Sequence, residues 1–229
     1  MADKKPRVKA PKQRGAAPTR TAGGQKPWVV VVVAVVGVLL GAAAVGALLG
    51  FVGGGGGAPD EAAARTKLVA AGCTLQSFPG VSRQHITNAA ARPKSWNSFP
   101  PTSGPHYFTP AVYGFYSEPV ELARVLHNLE HGGVYMLYGS KTPADTVSLL
   151  REIYDRDPRG LVVAPLPELG DKIALGAWTS PAPGSSEIGT GHLAKCTAVN
   201  KGAFEAFLSA FRGRGPENGN LDLLQPGGT

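Results

Sequence analysis

His127-Asn128-Leu129-Glu130-His131 places two imidazoles and a carboxylate in one short stretch, directly before Gly132-Gly133. Imidazole is the commonest protein ligand for transition metals, and a carboxylate beside a metal can serve as ligand or base. Histidine is otherwise scarce: the chain has five, at 85, 106, 127, 131 and 192. A metal usually needs a third protein ligand. His106 is the first candidate, in Pro100-Pro101-Thr102-Ser103-Gly104-Pro105-His106-Tyr107. Prolines and a glycine fix such a loop, which then presents an imidazole at low entropic cost. His85 is the second candidate, and Glu130 would complete or support the shell. The expected metal set is therefore His106, His127 and His131 with His85 or Glu130, taking copper or zinc. Met136, on the segment that follows, is a soft atom suited to copper, although a lone Met in a strand reads first as core. His192 falls in a Gly/Ser-rich loop near Cys196 and is the weakest candidate.

The elements that position these residues come next. In a helix, His127 and His131 lie one turn apart on one face with Glu130 adjacent. In a strand, Val125, His127, Leu129 and His131 share a face and Glu130 points away. A helix ending near His131 is preferred. The spacing His-x-x-Glu-His resembles that of inverzincin metalloproteases, where the glutamate is a general base. That motif lies on a helix of a large enzyme, whereas here the Gly pair stops the helix at once. Ser103 has no elbow motif and no assignable acid partner, and no phosphate loop or dinucleotide fingerprint is present. An enzymatic role is the less favoured reading.

The chain has 229 residues and a net charge of +7. Residues 1–27 hold eight basic side chains against one acid, Asp3. Removing those from the chain totals of 23 and 16 leaves 15 of each. The basic excess is thus confined to a Pro/Gly-containing tail too poor in large apolar residues to fold, and nucleic-acid binding is not expected of the neutral remainder. Trp28 to Val52 is an uncharged run, nearly all apolar, of 25 residues. As a helix it extends about 37 Å, enough to cross a hydrocarbon core of about 30 Å. The rival reading is a cleaved signal peptide with Ala42-Ala43-Ala44 at the cleavage site. Basic residues before the run hold the N-terminus in the cytoplasm and export the rest. The expected partners are therefore the bilayer, through residues 28–52, and anionic inner-leaflet lipids, through the basic tail. The expected location is the cell membrane, single-pass.

Cys73 and Cys196 both fall on the exported side, where thiols oxidise. A disulfide between them is expected, and closing a loop of that order contributes about 4–5 kcal/mol in a chain-entropy account. Two separate thiols, or a metal-ligand role for either, are the alternatives.

Residues 53–59 form a Gly-rich linker, 60–217 a single α+β domain with helices packed on a mixed sheet, and 218–229 an irregular tail. Within the domain, 60–71 reads as a helix stopped by Gly72, and 92–111 as an ordered Pro-rich loop. Ser117-Glu118-Pro119 marks a helix start, and 133–138 reads as a strand. Thr142-Pro143-Ala144-Asp145 is expected to cap a helix over 143–156, with Val147, Leu150, Ile153 and Tyr154 as its apolar stripe. Residues 161–165 and 172–178 are strand candidates. Asn200 is expected to cap a last helix whose Phe204, Phe207, Leu208 and Phe211 recur at helical spacing.

PPTSGPHY at 100–107 and HNLEHGGV at 127–134 resemble the two signature segments of the bacterial domain of unknown function 3105 family. Further similar stretches are Phe78 to His85, residues 162–165, Ala177-Trp178 and Gly215-Pro216-Glu217, so the resemblance spans roughly 70–217. It implies a basic tail, one membrane helix and an exported domain, and it carries no activity. Three functions are open at this point. The first is a membrane-anchored extracytoplasmic domain binding a transition metal. The second is a non-metal assembly module of the cell envelope with structural histidines. The third, least favoured, is a metal-dependent hydrolase using Glu130.

Overall fold

Alternation of side chains along the central strands gives this fold two apolar faces. In the computed structural model, which describes residues 59–87, 95–217 and 219–229, six strands form one mixed sheet. Helix α1 (Pro59–Ala70) leads into β1 (Thr74–Pro79). Then come β2 (His85–Ile86), β3 (His106–Tyr107), β4 (Gly114–Phe115) and helix α2 (Leu122–Glu130). Strand β5 (Val134–Tyr138), helix α3 (Ala144–Arg156), β6 (Leu161–Pro165), β7 (Ile173–Thr179), β8 (Thr190–Cys196) and helix α4 (Lys201–Phe211) complete the order. The sheet runs β1-β8-β7-β5-β6-β4, and β2 and β3 pair separately. Strands β5 and β6 are parallel, with α3 as their crossover; β7 runs antiparallel to β5. The domain is therefore α+β, four helices on a mixed sheet.

Val134, Met136, Leu161, Val163, Ile173 and Leu175 face one way, into a core with α1, α3 and α4. Tyr135, Leu137, Val162, Ala164, Ala174 and Trp178 face the other way, against Val125, Leu126 and Leu129 of α2. The period of two in these strands produces both sets. The α4 stripe Phe204, Phe207, Leu208 and Phe211 is buried, and Asn200 Oδ1 accepts from the Ala203 amide at 3.0 Å. Burying each large side chain contributes about 1.5–3 kcal/mol. The cap satisfies one of the four amides that a helix start leaves unpaired. Cys73 and Cys196 are bonded to each other, joining the residue before β1 to the last of β8.

Gly176 is required by packing. A Cβ there would lie 2.0 Å from the Tyr135 ring, which is laid over β7. The Tyr135 hydroxyl is fully buried and has no hydrogen-bond partner among the described residues.

Several local expectations need correction. Helix α2 begins at Leu122, not at Ser117-Glu118-Pro119: Glu121 stays extended (φ −59, ψ 120) and Val120 packs against the second core. Thr142 does not cap α3. Its hydroxyl is buried without a partner among the described residues, and the cap position is Pro143, whose carbonyl receives the Val147 amide at 3.1 Å. His192 lies in strand β8 rather than in a loop. The segment after 217 contains a 3-10 turn at Leu221–Leu223, and Leu224 is buried. The expected membrane span, basic tail and most of the Gly-rich linker lie outside the described residues. Among the described residues no helix is long and apolar enough to cross a membrane.

Candidate metal centre

Helix α2 packs an apolar face on the second core, carries His127 and Glu130, both buried, away from that face, and is followed at once by His131. The helix closes as the Gly pair demands. The Gly132 amide reaches Leu129 O at 3.0 Å, with Gly132 at φ +91, and Gly133 donates to Asn128 O at 2.8 Å. A Cβ on Gly133 would stand 2.8 Å from Asn128 O and 2.9 Å from the Tyr113 ring, so the chain turns there only without a side chain. Asn128 pairs like a strand residue with Ala111, accepting its amide at 3.0 Å and donating to its carbonyl at 2.8 Å. This ties the Pro-rich loop to α2.

The loop is built to hold His106. Asn97 Oδ1 accepts from the Thr102 and Ser103 amides, Trp96 Nε1 donates to Pro105 O at 2.9 Å, and Gly104 adopts φ +137 beneath the Trp96 ring. Strand pairing then sets His85 beside His106. A third segment docks on the end of α2: Gly213 donates to Gly132 O at 2.8 Å, and Glu217 donates to Glu130 O at 3.0 Å. A Cβ on Gly215 would lie 2.1 Å from the Gly132 amide nitrogen, so only glycine allows this approach. The result is that Glu217 arrives beside His131.

Two arrangements follow. His127 Nδ1–H donates to Tyr107 O at 2.6 Å, which leaves Nε2 as a lone pair. That Nε2 is 3.0 Å from His131 Nε2, which in turn is 3.2 Å from Glu217 Oε2. One hydrogen at His131 Nε2 cannot serve both neighbours well, whereas a cation satisfies all three atoms. Ligands at about 2.0–2.1 Å from a tetrahedral ion are about 3.3 Å apart, close to the distances found. The side chains of His131 and Glu217 are 25% and 39% exposed, so a fourth position would face water. Burial pushes His127 below the usual histidine range, against the pull of the Tyr107 carbonyl, and the neighbouring histidines push it the same way. The neutral, ligating form is thus favoured.

The second arrangement is a buried charge cluster. His106 Nδ1–H donates to Gly104 O at 2.8 Å and Nε2–H donates to Glu130 Oε2 at 2.9 Å. Arg83 Nε donates to Glu130 Oε1 at 2.9 Å and Nη1 to Ser185 O, and Arg83 Nη2 lies 3.6 Å from Glu217 Oε1. His85 Nε2 is 3.5 Å from Glu130 Oε2. Burial raises the Glu130 carboxyl, but the bonds from His106 and Arg83 outweigh it and hold the group below the usual carboxylate range. A carboxylate so held is a weak base.

The expected histidines thus gather, in two overlapping sets that share His127: His85, His106 and His127, and His127, His131 and Glu217. His106 and Glu130 point at each other rather than at His131. Glu217 and Arg83 were not expected as site residues. The only sequence signal for Glu217 was the Gly215-Pro216-Glu217 stretch. Met136 lies in the core on the α1, α3 and α4 face, and Ser103 Oγ accepts from the Val81 amide. His192 is structural: it meets Ser77 Oγ at 3.1 Å and Thr179 Oγ1 at 2.8 Å, stacks on Phe211, and burial pushes it down to about 3.

No curated protein and no solved structure matches this chain. A family model does match, over residues 89–222, a range that holds both signature segments and Glu217 and begins just after His85. With more than half of its length matched, the chain belongs to the family described as Protein of unknown function (DUF3105).

Proposed function

We propose that this chain is a single-pass, membrane-anchored protein whose extracytoplasmic domain binds one divalent transition ion, zinc or cupric copper, through His127, His131 and Glu217. The carrying observation is the convergence of His127 Nε2, His131 Nε2 and Glu217 Oε2 at 3.0 and 3.2 Å. Two imidazoles and a carboxylate suit these ions, and no thiolate is offered because both cysteines are bonded. Anchoring rests on the uncharged run 28–52 and its basic flank, which would also meet anionic lipids of the inner leaflet. The hydrolase reading has less support, since Glu130 is fully buried and committed to His106 and Arg83. His106 stands outside this ligand set, and both of its nitrogens already have acceptors.

Metal analysis and zinc titration of the full-length chain in detergent test this reading. One ion per chain is expected, lost in His127→Ala and held more weakly in Glu217→Ala. Metal at a hundredfold excess over Kd stabilises by about 2.7 kcal/mol, which is roughly 5–10 °C in Tm for a domain of this size. An unmoved Tm and no retained metal would refute it.

A further inference from the structure

We propose that the histidine cluster contains a second metal station, His85, His106 and His127, and that one ion exchanges between it and the outer His127, His131 and Glu217 station with His127 as the pivot. The inference rests on the metal reading above. One ring nitrogen from each of His85, His106 and His127 lies within 4.8 Å of the others, as do the three outer ligand atoms. His127 is common to both. Its Nδ1–H is committed to Tyr107 O at 2.6 Å, so Nε2 is its single available lone pair. One lone pair serves one ion, so the two stations exclude each other.

They are unequal. Two of the three outer contacts, at 3.0 and 3.2 Å, already stand near tetrahedral spacing, and His131 and Glu217 are partly exposed. In the inner set His106 Nε2 must give up its proton and its Glu130 bond, so binding there releases a proton. His85 supplies the movement. Its side chain is 32% exposed, and its ring is stacked on His127 at 4.8 Å with 14° between planes, while the exposed Phe108 ring lies against it at 5.2 Å. A turn of that ring brings a nitrogen toward His127 Nε2. The inner station is therefore the weaker one, three imidazoles in a more buried setting. The arrangement fits a protein that passes a divalent ion on rather than one that keeps it.

Cupric ion bound to the full-length chain, followed by calorimetry and electron paramagnetic resonance, tests this. The wild type is expected to bind one equivalent with two equatorial nitrogens. His131→Gln is expected still to bind one equivalent, weaker by at least the 10–100-fold that losing a supporting partner costs, with a three-nitrogen signal. Adding His85→Ala to His131→Gln is expected to abolish binding. A wild type that binds two equivalents refutes the pivot. A His131→Gln variant that binds nothing, or binds unchanged without His85, refutes the second station while the outer site stands. A wild type that binds no copper or zinc fails the metal reading itself. Circular dichroism confirms that each variant is folded.

Discussion

Replacing Glu130 asks whether this carboxylate builds the domain or acts in it. Its side chain is fully buried, and it accepts from His106 Nε2 and from Arg83 Nε, each at 2.9 Å. Hydrogen bonds to charged groups contribute about 1.5–3 kcal/mol each, and deleting one partner of a buried ion pair costs about 3–5 kcal/mol. Arg83 is 27% exposed, so its bond belongs at the low end. Glu130→Ala should therefore lose about 4 kcal/mol, a large share of the roughly 5–15 kcal/mol of an ordinary domain. Urea unfolding reads this as a midpoint lower by roughly 2 M, for a slope of about 2 kcal/mol/M. Glu130→Gln keeps an acceptor for Arg83, and its amide can donate to a deprotonated His106 Nε2, so its loss should be about half as large or less. The Gln variant should also keep its metal, because Glu130 stands outside the outer ligand set. A Glu130→Ala loss below about 1 kcal/mol would refute the structural role. A folded Gln variant without metal would refute the assignment to Glu217.

Two further outcomes follow from the core. His192 falls from its ordinary 6.5 to about 3, so the unfolded chain binds more protons between those values. Its contribution is complete above pH 6.5 and fades as pH falls toward 3, by up to about 1.4 kcal/mol per pH unit. His192→Asn should flatten the pH dependence of urea stability in that window; an unchanged slope would overturn the argument. Gly176→Ala should cost about 1–3 kcal/mol through its clash with Tyr135, and Tyr135→Leu in the same chain should recover part of it. Additive losses in thermal or urea melts would show that the Tyr135 ring is not the obstacle.

Much of this was legible in residue order because the signals are local. Asn200 and the phenylalanine spacing of α4 mark a helix, the Gly pair marks the end of α2, and Val/Ile/Leu runs mark β6 and β7. His127 and His131 meet because they are one helical turn apart. What was not legible depends on contacts between distant segments. Strand β8, Thr190–Cys196, has no clean apolar alternation because one inward position is His192, whose polarity is met by Ser77 and Thr179 on its neighbours. Glu217 reaches His131 only because Gly215 lets one backbone touch another. Thr142 reads as a cap, but its side chain is buried instead. His106 was expected to look toward His131, and the partner it found was Glu130.

The Cys73–Cys196 bond also sets a route for force. Tension entering the described domain from residue 59 would load α1 first, and α1 lies outside the loop that the bond closes. At Cys73 the load divides: it passes covalently to the far end of β8, across 123 positions of sequence, as well as into β1. The helix could peel away while the strands stay registered. The four clustered histidines, at 85, 106, 127 and 131, all lie within the shielded loop, whereas Glu217 lies beyond it. Pulling on the chain from its N-terminal side would therefore strain α1 before it disturbed the imidazoles.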